Sequence, residues 1–109
     1  MKTINYELAK KLYDAGVKIE SEKYYSSYKW ENDFIICDKE QTCTYDYDYF
    51  PAPNCEEVIE FLPDGIEIFK ATWNFTIEYH KDWEFISKPT LLEALEATLE
   101  YLLDNWYIY

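Results

Sequence analysis

The segment Cys43–Phe50 constrains the fold of this chain most strongly, because tyrosine and aspartate alternate without a break from Tyr45 to Tyr49. An extended strand places alternate side chains on opposite faces. The pattern therefore predicts a strand with its tyrosines on one face and its aspartates on the other. Pro51 and Pro53 are predicted to end this strand, because proline has no backbone N–H to donate to a sheet.

Three helices are predicted from the spacing of apolar residues and from residues that favour helix ends. The first covers about Tyr6–Ala15 and has Asn5 as its N-cap. A short second helix begins after Asn54, where a glutamate three residues on completes a capping box. Its residues predicted to face inward are Val58, Ile59, Phe61 and Leu62. The third covers about Leu91–Asp104, where Thr90 begins a second capping box and leucines recur on one helical face.

The remaining apolar stretches alternate as strands do, and turn residues separate them. In addition to the tyrosine strand, the predicted strands are Lys23–Trp30, Phe34–Cys37, Ile66–Phe69, Trp73–His80 and Trp83–Ile86. The order is α-β-β-(β)-α-β-β-β-α, with no internal repeat and no linker. We therefore predict a single α+β domain over residues 1–109, with three helices and an antiparallel sheet of about four to six strands.

The charge of the chain restricts its partners. It carries 22 acidic residues against ten basic ones, all lysine, and its net charge is −12. Residues 31–64 hold ten of the acids and one lysine, a net charge of −9. Such a surface repels nucleic acid and anionic lipid and attracts basic proteins. No apolar run approaches the ~20 residues of a membrane span, and no signal peptide is evident. We expect a cytoplasmic protein of a bacterial host cell that does not bind membranes, and direct binding of nucleic acid is disfavoured.

No residue pattern predicts a metal site, a cofactor or a catalytic centre. The chain has one histidine, His80, and its three cysteines are spaced unlike zinc ligands. The aspartate pair of the tyrosine strand lacks the glycine and the closing glutamate of a calcium loop. Cys55 and His80 are conceivable as a nucleophile and its base, but no glycine turn suited to an oxyanion accompanies them. We therefore predict a protein that is not an enzyme.

The acidic and aromatic tract in the middle of the chain is the predicted partner-binding site. Tyrosine is enriched at protein interfaces, because it offers a large contact area with few rotatable bonds. Alternate residues of a strand recur every ~6.8 Å, a spacing of the order of that between backbone phosphates. The alternative is a solvated edge strand whose tyrosines belong to the core. The predicted partner-binding residues are Asp38, Glu40, Tyr45, Asp46, Tyr47, Asp48, Tyr49, Glu56, Glu57 and Glu60.

Three phrases resemble those of a loose group of small phage and prophage proteins, common in Bacteroidetes-like genomes. They lie in Leu8–Gly16, in Tyr49–Pro63 and in Lys88–Leu95. The phrases consist largely of helix and capping residues, and no functional residue comes with them. The resemblance implies an accessory gene, a context in which small acidic proteins often inhibit host defence.

These observations lead to two expectations about function. The first is a phage-encoded inhibitor of the anti-CRISPR type, which binds the basic, nucleic-acid-handling surface of a host defence nuclease. The second is a non-catalytic structural or regulatory module that associates with itself through the tyrosine strand or through the tail Trp106–Tyr109.

Overall fold

The computed structural model describes residues 2–28, 34–38 and 47–108, and in these ranges the chain is an α+β domain. The order of the elements along the chain, α-β-β-β-α-β-β-β-α, is the predicted one. The elements are α1 (Tyr6–Asp14), β1 (Lys23–Tyr28), β2 (Phe34–Asp38), β3 (Tyr47–Pro51), α2 (Cys55–Phe61), β4 (Ile66–Lys70), β5 (Phe75–Tyr79), β6 (Glu84–Lys88) and α3 (Leu91–Asp104).

The six strands divide into two antiparallel sheets of three strands each. The first has the order β2-β1-β3, so β1 is its central strand, and Tyr25 lies opposite Ile36 on one side and Phe50 on the other. The second is a meander with the order β4-β5-β6 and Ile77 at its centre. Residues directly opposite each other share a face of the sheet, so this register decides which side chains meet.

The helix starts confirm the caps that the sequence predicts. The side chain of Asn5 accepts a hydrogen bond from the backbone N–H of Leu8, at 2.8 Å. Asn54 and Glu57 form the complete capping box, and Thr90 accepts from the N–H of the third residue of α3. Among the helices of the described ranges, none combines the length and the hydrophobicity that crossing a lipid bilayer requires.

Helix α3 supplies the centre of the hydrophobic core, where it packs on β5 and β6 and also meets α1 and α2. The hydroxyl of Thr98, which is buried with the leucines of α3, donates a hydrogen bond to the Ala94 carbonyl at 2.8 Å, so this polar group is satisfied. Full burial of one such leucine stabilises the fold by about 1.5–3 kcal/mol. The fully buried apolar residues include Ile4, Val58, Ala94, Leu95, Leu99 and Leu102.

Helix α1 joins the first sheet to this core through aromatic rings. The Tyr6 ring stacks on that of Phe34, with centroids 4.3 Å apart, and meets Tyr25 edge to face at 5.5 Å. Tyr13 meets Phe50 edge to face at 5.0 Å. The face of the first sheet that carries Tyr25 and Phe50 is therefore its core face.

Two predictions of inward-facing residues were wrong. Trp73 does not begin a half-buried strand: β5 starts at Phe75, and Trp73 lies 88% exposed in the bend before it. Ile59 of α2 is exposed as well, whereas Val58 beside it is fully buried. A helix of seven residues buries one narrow stripe, so neighbouring apolar residues cannot all face inward. The predicted strand residues 29, 30 and 43–46 lie outside the described ranges.

Candidate functional site

The predicted partner-binding tract is only partly described. Glu40, Tyr45 and Asp46 lie outside the described residues, and Tyr47 is placed through its backbone alone, opposite Tyr28. The remaining members lie on β2, β3 and α2. They are Asp38, Asp48, Tyr49, Glu56, Glu57 and Glu60.

Strand β3 places its acid and its tyrosine on opposite faces, as the alternation predicts. Asp48 shares the core face with Phe50 but is exposed. Tyr49 lies on the other face, away from α1, and is half-buried. The core aromatic of this strand is thus Phe50, and Tyr49 belongs to the outer surface of the sheet.

The structure does not bring all the predicted acids together. Asp38 lies opposite Lys23 and forms an ion pair with it, whereas Asp48 lies opposite Ser27, four residues further along β1. Four residues of a strand span about 13 Å, so the two aspartates mark opposite ends of the sheet. Glu57 lies at the Asp38 end, where its carboxylate accepts the Glu22 backbone N–H at 2.9 Å.

Helix α2 presents two of its predicted acids to solvent and uses the third structurally. Glu56 and Glu60 are exposed and lie four residues apart, on one side of the helix. Glu57 is half-buried, and its carboxylate also accepts the Asn54 N–H at 3.0 Å in the capping box. Its contacts therefore tie the start of α2 to Glu22, the residue before β1.

Many acidic side chains are exposed on the described surface, and few of them pair with a described lysine. Of the 18 acidic residues in the described ranges, 15 are exposed. Between described residues, two lysine–carboxylate pairs form, Lys11–Asp104 at 3.1 Å and Lys23–Asp38. Most of the negative charge is thus directed at solvent, where it can attract a positively charged partner.

The outer face of the second sheet, which we define as the side opposite α3, carries two exposed aromatic side chains. Phe69 and Phe85 lie on this face, 45% and 59% exposed. Trp73 and Trp83, in the turns that flank β5, add side chains that are 88% and 70% exposed. Exposed aromatic side chains of this size, when they lie together, are typical of interaction surfaces.

A histidine and two glutamates converge on the same outer face. Glu67 of β4 and Glu78 of β5 lie directly opposite each other, and His80 follows Glu78 by two residues. His80 Nε2 lies 3.2 Å from Glu67 Oε1 and 3.9 Å from Glu78 Oε2. These three residues, the Glu67–Glu78–His80 cluster, offer ligand atoms within 4.8 Å of one another. They are the residues of the described ranges that could hold a metal ion.

Trp83 contacts the imidazole of this cluster. Its indole stacks on the His80 ring with centroids 5.9 Å apart and an angle of 15° between the planes. Trp83 has a φ of 55°, in the left-handed region that large side chains seldom adopt. Sequence reasoning missed this cluster: the spacing of Glu78 and His80 was visible, but Glu67 joins them only through the register of β4 on β5.

A second polar cluster ties the β5–β6 turn to α3 and the chain end. Tyr101 and Tyr107 each donate a hydrogen bond to the Asp82 carboxylate, at 2.5 and 2.8 Å. These bonds lower the pKa of Asp82 and raise that of both tyrosines. Lys81 lies over the Tyr107 ring, 4.6 Å from its centroid. These contacts hold the β5–β6 turn against α3 and Tyr107.

The two cysteines within the described residues, Cys37 and Cys55, lack the environment of a nucleophile. Burial raises the pKa of the Cys55 thiol, and the charge of Glu96 raises it further. Burial also raises the pKa of Cys37, with a contribution from Asp38. A raised pKa reduces the thiolate fraction at neutral pH. The side-chain partners of His80 are Glu67, Glu78 and Trp83, so the conceivable Cys55–His80 pair gains no support.

No family model, no curated protein and no solved structure matches this chain.

Proposed function

We propose that this protein acts by binding a basic surface of a nucleic-acid-handling protein, without catalysis of its own. In its narrowest form, the proposal is a phage-encoded inhibitor of a host defence nuclease such as a CRISPR effector. The inhibitor would cover positively charged residues that otherwise contact nucleic acid.

The observation that carries the proposal is the exposure of the acidic side chains. Fifteen of the 18 described acids are exposed, and between described residues two of them pair with lysines, Asp104 with Lys11 and Asp38 with Lys23. Unpaired surface acids steer a basic partner into contact and raise the association rate, and salt weakens this effect. Asp48 of β3 and Glu56 and Glu60 of α2 are exposed and supply this charge, and the half-buried Tyr49 offers contact area on the outer face of the first sheet.

The test is inhibition of nucleic-acid cleavage by a panel of purified RNA-guided nucleases. We expect inhibition of at least one member, weaker in 1 M than in 0.1 M salt, because the Debye length falls from about 10 to about 3 Å. The double variant Asp48→Lys/Glu60→Lys should inhibit at least about tenfold less, a change of about 1.4 kcal/mol in binding.

The matched control is Glu20→Lys/Glu100→Lys, which changes the net charge equally at exposed positions outside the tract. It should retain most of the inhibition. An equal loss of inhibition in both double variants would show that net charge alone, and not the proposed surface, causes the inhibition. Unchanged inhibition by the Asp48→Lys/Glu60→Lys variant would contradict the proposed surface.

The outer face of the second sheet favours a second candidate, a module that associates with itself. Phe69 and Phe85 are exposed on this face, and Trp73 and Trp83 in the turns that flank β5 are exposed as well. Association through this face would bring two chains of charge −12 together, so salt should strengthen it. Binding of a basic partner has the opposite salt dependence. Light scattering that finds a monomer at high concentration and high salt would exclude the module.

A further inference from the structure

We propose that Glu67, Glu78 and His80 form a binding site for a divalent transition-metal ion, for which Zn²⁺ is the appropriate probe. This inference goes beyond the binding of a basic protein and does not rest on it. The site lies on the outer face of the second sheet, whereas the acids proposed to bind a partner lie on β3 and α2.

The separation of the three ligand atoms suits one shared ion. Ligands about 2.0–2.2 Å from a tetrahedral Zn²⁺ lie about 3.3–3.5 Å from one another. His80 Nε2 is 3.2 Å from one glutamate oxygen and 3.9 Å from the other, and all three atoms lie within 4.8 Å. A small rotation of Glu67, whose side chain is 54% exposed, closes the remaining distance.

The two carboxylates need a positive charge between them. Glu67 and Glu78 are directly opposite on neighbouring antiparallel strands, where like charges destabilise a sheet. The nearby lysines of these strand ends do not pair with them: Lys70, the last residue of β4, lies over the Phe75 ring, and Lys81, just after β5, lies over the Tyr107 ring. A cation held by both oxygens removes this repulsion.

The imidazole nitrogen is placed as a ligand atom without a hydrogen-bond partner. His80 Nε2 has less than 1 Å² of exposed surface, although the side chain as a whole is 39% exposed. Glu67 Oε1 is near enough to accept a hydrogen bond but lies off the N–H direction, so none forms. This geometry is expected of two ligands of one tetrahedral ion, because the lone pair of each ligand atom points at the ion and not at the other ligand atom.

The donor set identifies the class of ion. One imidazole nitrogen and two carboxylate oxygens suit Zn²⁺ and its neighbours Co²⁺ and Ni²⁺, and water completes the coordination. Ca²⁺ needs six to eight oxygen ligands, more than these residues provide. The Trp83 indole, stacked on the imidazole, restrains the orientation of the ring.

The experiment is calorimetric titration of the chelator-treated full chain with Zn²⁺. We expect one ion per chain, and at least tenfold weaker binding in His80→Asn, Glu67→Gln and Glu78→Gln, since even outer-shell partners of metal ligands are worth 10–100-fold in affinity. Glu84→Gln is the control, because it removes an exposed glutamate one residue from Trp83 and should bind as the parent does. Circular dichroism verifies that each variant is folded.

A second readout locates the ion beside Trp83. Ni²⁺ quenches tryptophan fluorescence at short range, so quenching should be lost in His80→Asn and largely lost in Trp83→Phe. Binding should persist when the three cysteines are replaced by serine. No binding, several weak ions that ignore the ligand variants, or binding that disappears with the cysteines would each overturn the proposal. In those cases an ion pair of His80 with the glutamates is the whole role of the cluster.

Discussion

Trp106 occupies, at the end of α3, the position that Gly16 occupies at the end of α1. Both residues have a left-handed backbone, with φ of 61° and 82°. Beyond α1, the Val17 N–H donates to the Leu12 carbonyl at 2.9 Å, and beyond α3 the Tyr107 N–H donates to the Leu102 carbonyl at 2.8 Å. This is the same C-terminal capping motif, which favours glycine at its left-handed residue.

Replacement of this tryptophan by glycine should stabilise the protein. A left-handed conformation costs a residue with a Cβ atom about 1–2 kcal/mol, and Trp106 is 78% exposed, so little packing is lost. We expect Trp106→Gly to raise the free energy of unfolding by about 1 kcal/mol, as measured by urea denaturation. Gly16→Ala is the reverse control and should lower it by about 1 kcal/mol. A less stable Trp106→Gly variant would mean that the indole packs more than its exposure indicates.

The capping role of Glu57 separates it from its predicted neighbours in the partner-binding tract. Its carboxylate accepts the backbone N–H groups of Asn54 and Glu22, at 3.0 and 2.9 Å. Hydrogen bonds to charged groups contribute about 1.5–3 kcal/mol each, and less where solvent reaches them. We expect Glu57→Ala to lower the free energy of unfolding by about 1–2 kcal/mol.

Glu56→Ala is the matched control for Glu57→Ala, because it removes an exposed acid from the same helix turn. Its effect should stay within about 0.5 kcal/mol. Equal losses from the two variants, in the same urea denaturation experiment, would contradict the structural role of Glu57.

The local parts of this fold could be predicted from the sequence, and the non-local parts could not. Asn5, Asn54 and Thr90 act within three residues of themselves, so each helix start was correctly predicted. The pairing of β3 with β1 spans the chain from Tyr47 to Tyr28, and no short-range pattern specifies it. The same limit hid the second sheet, whose separation from the first depends on which strands meet.

The candidate sites show this limit as well. The alternation correctly predicted that Asp48 and Tyr49 lie on opposite faces of β3. It could not predict that Phe50 would occupy the core face, since that depends on α1 packing there. Glu67 and His80 are 13 positions apart in the sequence, and only the antiparallel register of β4 and β5 brings them together.

Asp82 should make stability depend on acidic pH. Hydrogen bonds from Tyr101 and then Tyr107 lower its pKa below the ordinary aspartate value of about 3.9. A carboxyl whose pKa is lowered in the folded state stabilises the fold fully above its unfolded pKa, and this stabilisation is lost as the pH falls through the folded pKa. The loss should therefore occur below about pH 4.

The variant Asp82→Asn tests this dependence. It should be less stable than the parent at pH 7, and the difference in free energy of unfolding should shrink as the pH falls below about 4. Asp14→Asn, which removes an exposed acid at the end of α1, is the control and should show no such narrowing. A difference that stays constant from pH 7 to pH 3 would mean that the Asp82 charge contributes nothing.

Screening of the net charge should stabilise the whole domain. With a charge of −12 and two lysine–carboxylate pairs between described residues, repulsion among acids outweighs attraction. We expect added NaCl to raise Tm at neutral pH, by about 4–8 °C for each kcal/mol of repulsion removed. Thermal unfolding followed by circular dichroism measures this, and a Tm that does not move with salt would show that the acids are too widely spread to repel.

Because Glu67 and Glu78 repel each other, the effect of Glu67→Gln on the free energy of unfolding should change sign when a metal ion is added. In the presence of a chelator, Glu67→Gln removes one of two facing charges and should raise the free energy of unfolding by about 0.2–1 kcal/mol. With Zn²⁺ in excess, the parent gains stability in proportion to the logarithm of the free ion concentration over Kd, about 2.7 kcal/mol at 100 times Kd. The variant, having lost a ligand, gains much less. The order of stability should therefore invert on addition of Zn²⁺, and thermal unfolding with and without the ion measures it. A Glu67→Gln variant that is less stable than the parent in chelator would show that its carboxylate supports His80 without any ion, because the lost contact would then outweigh the relieved repulsion.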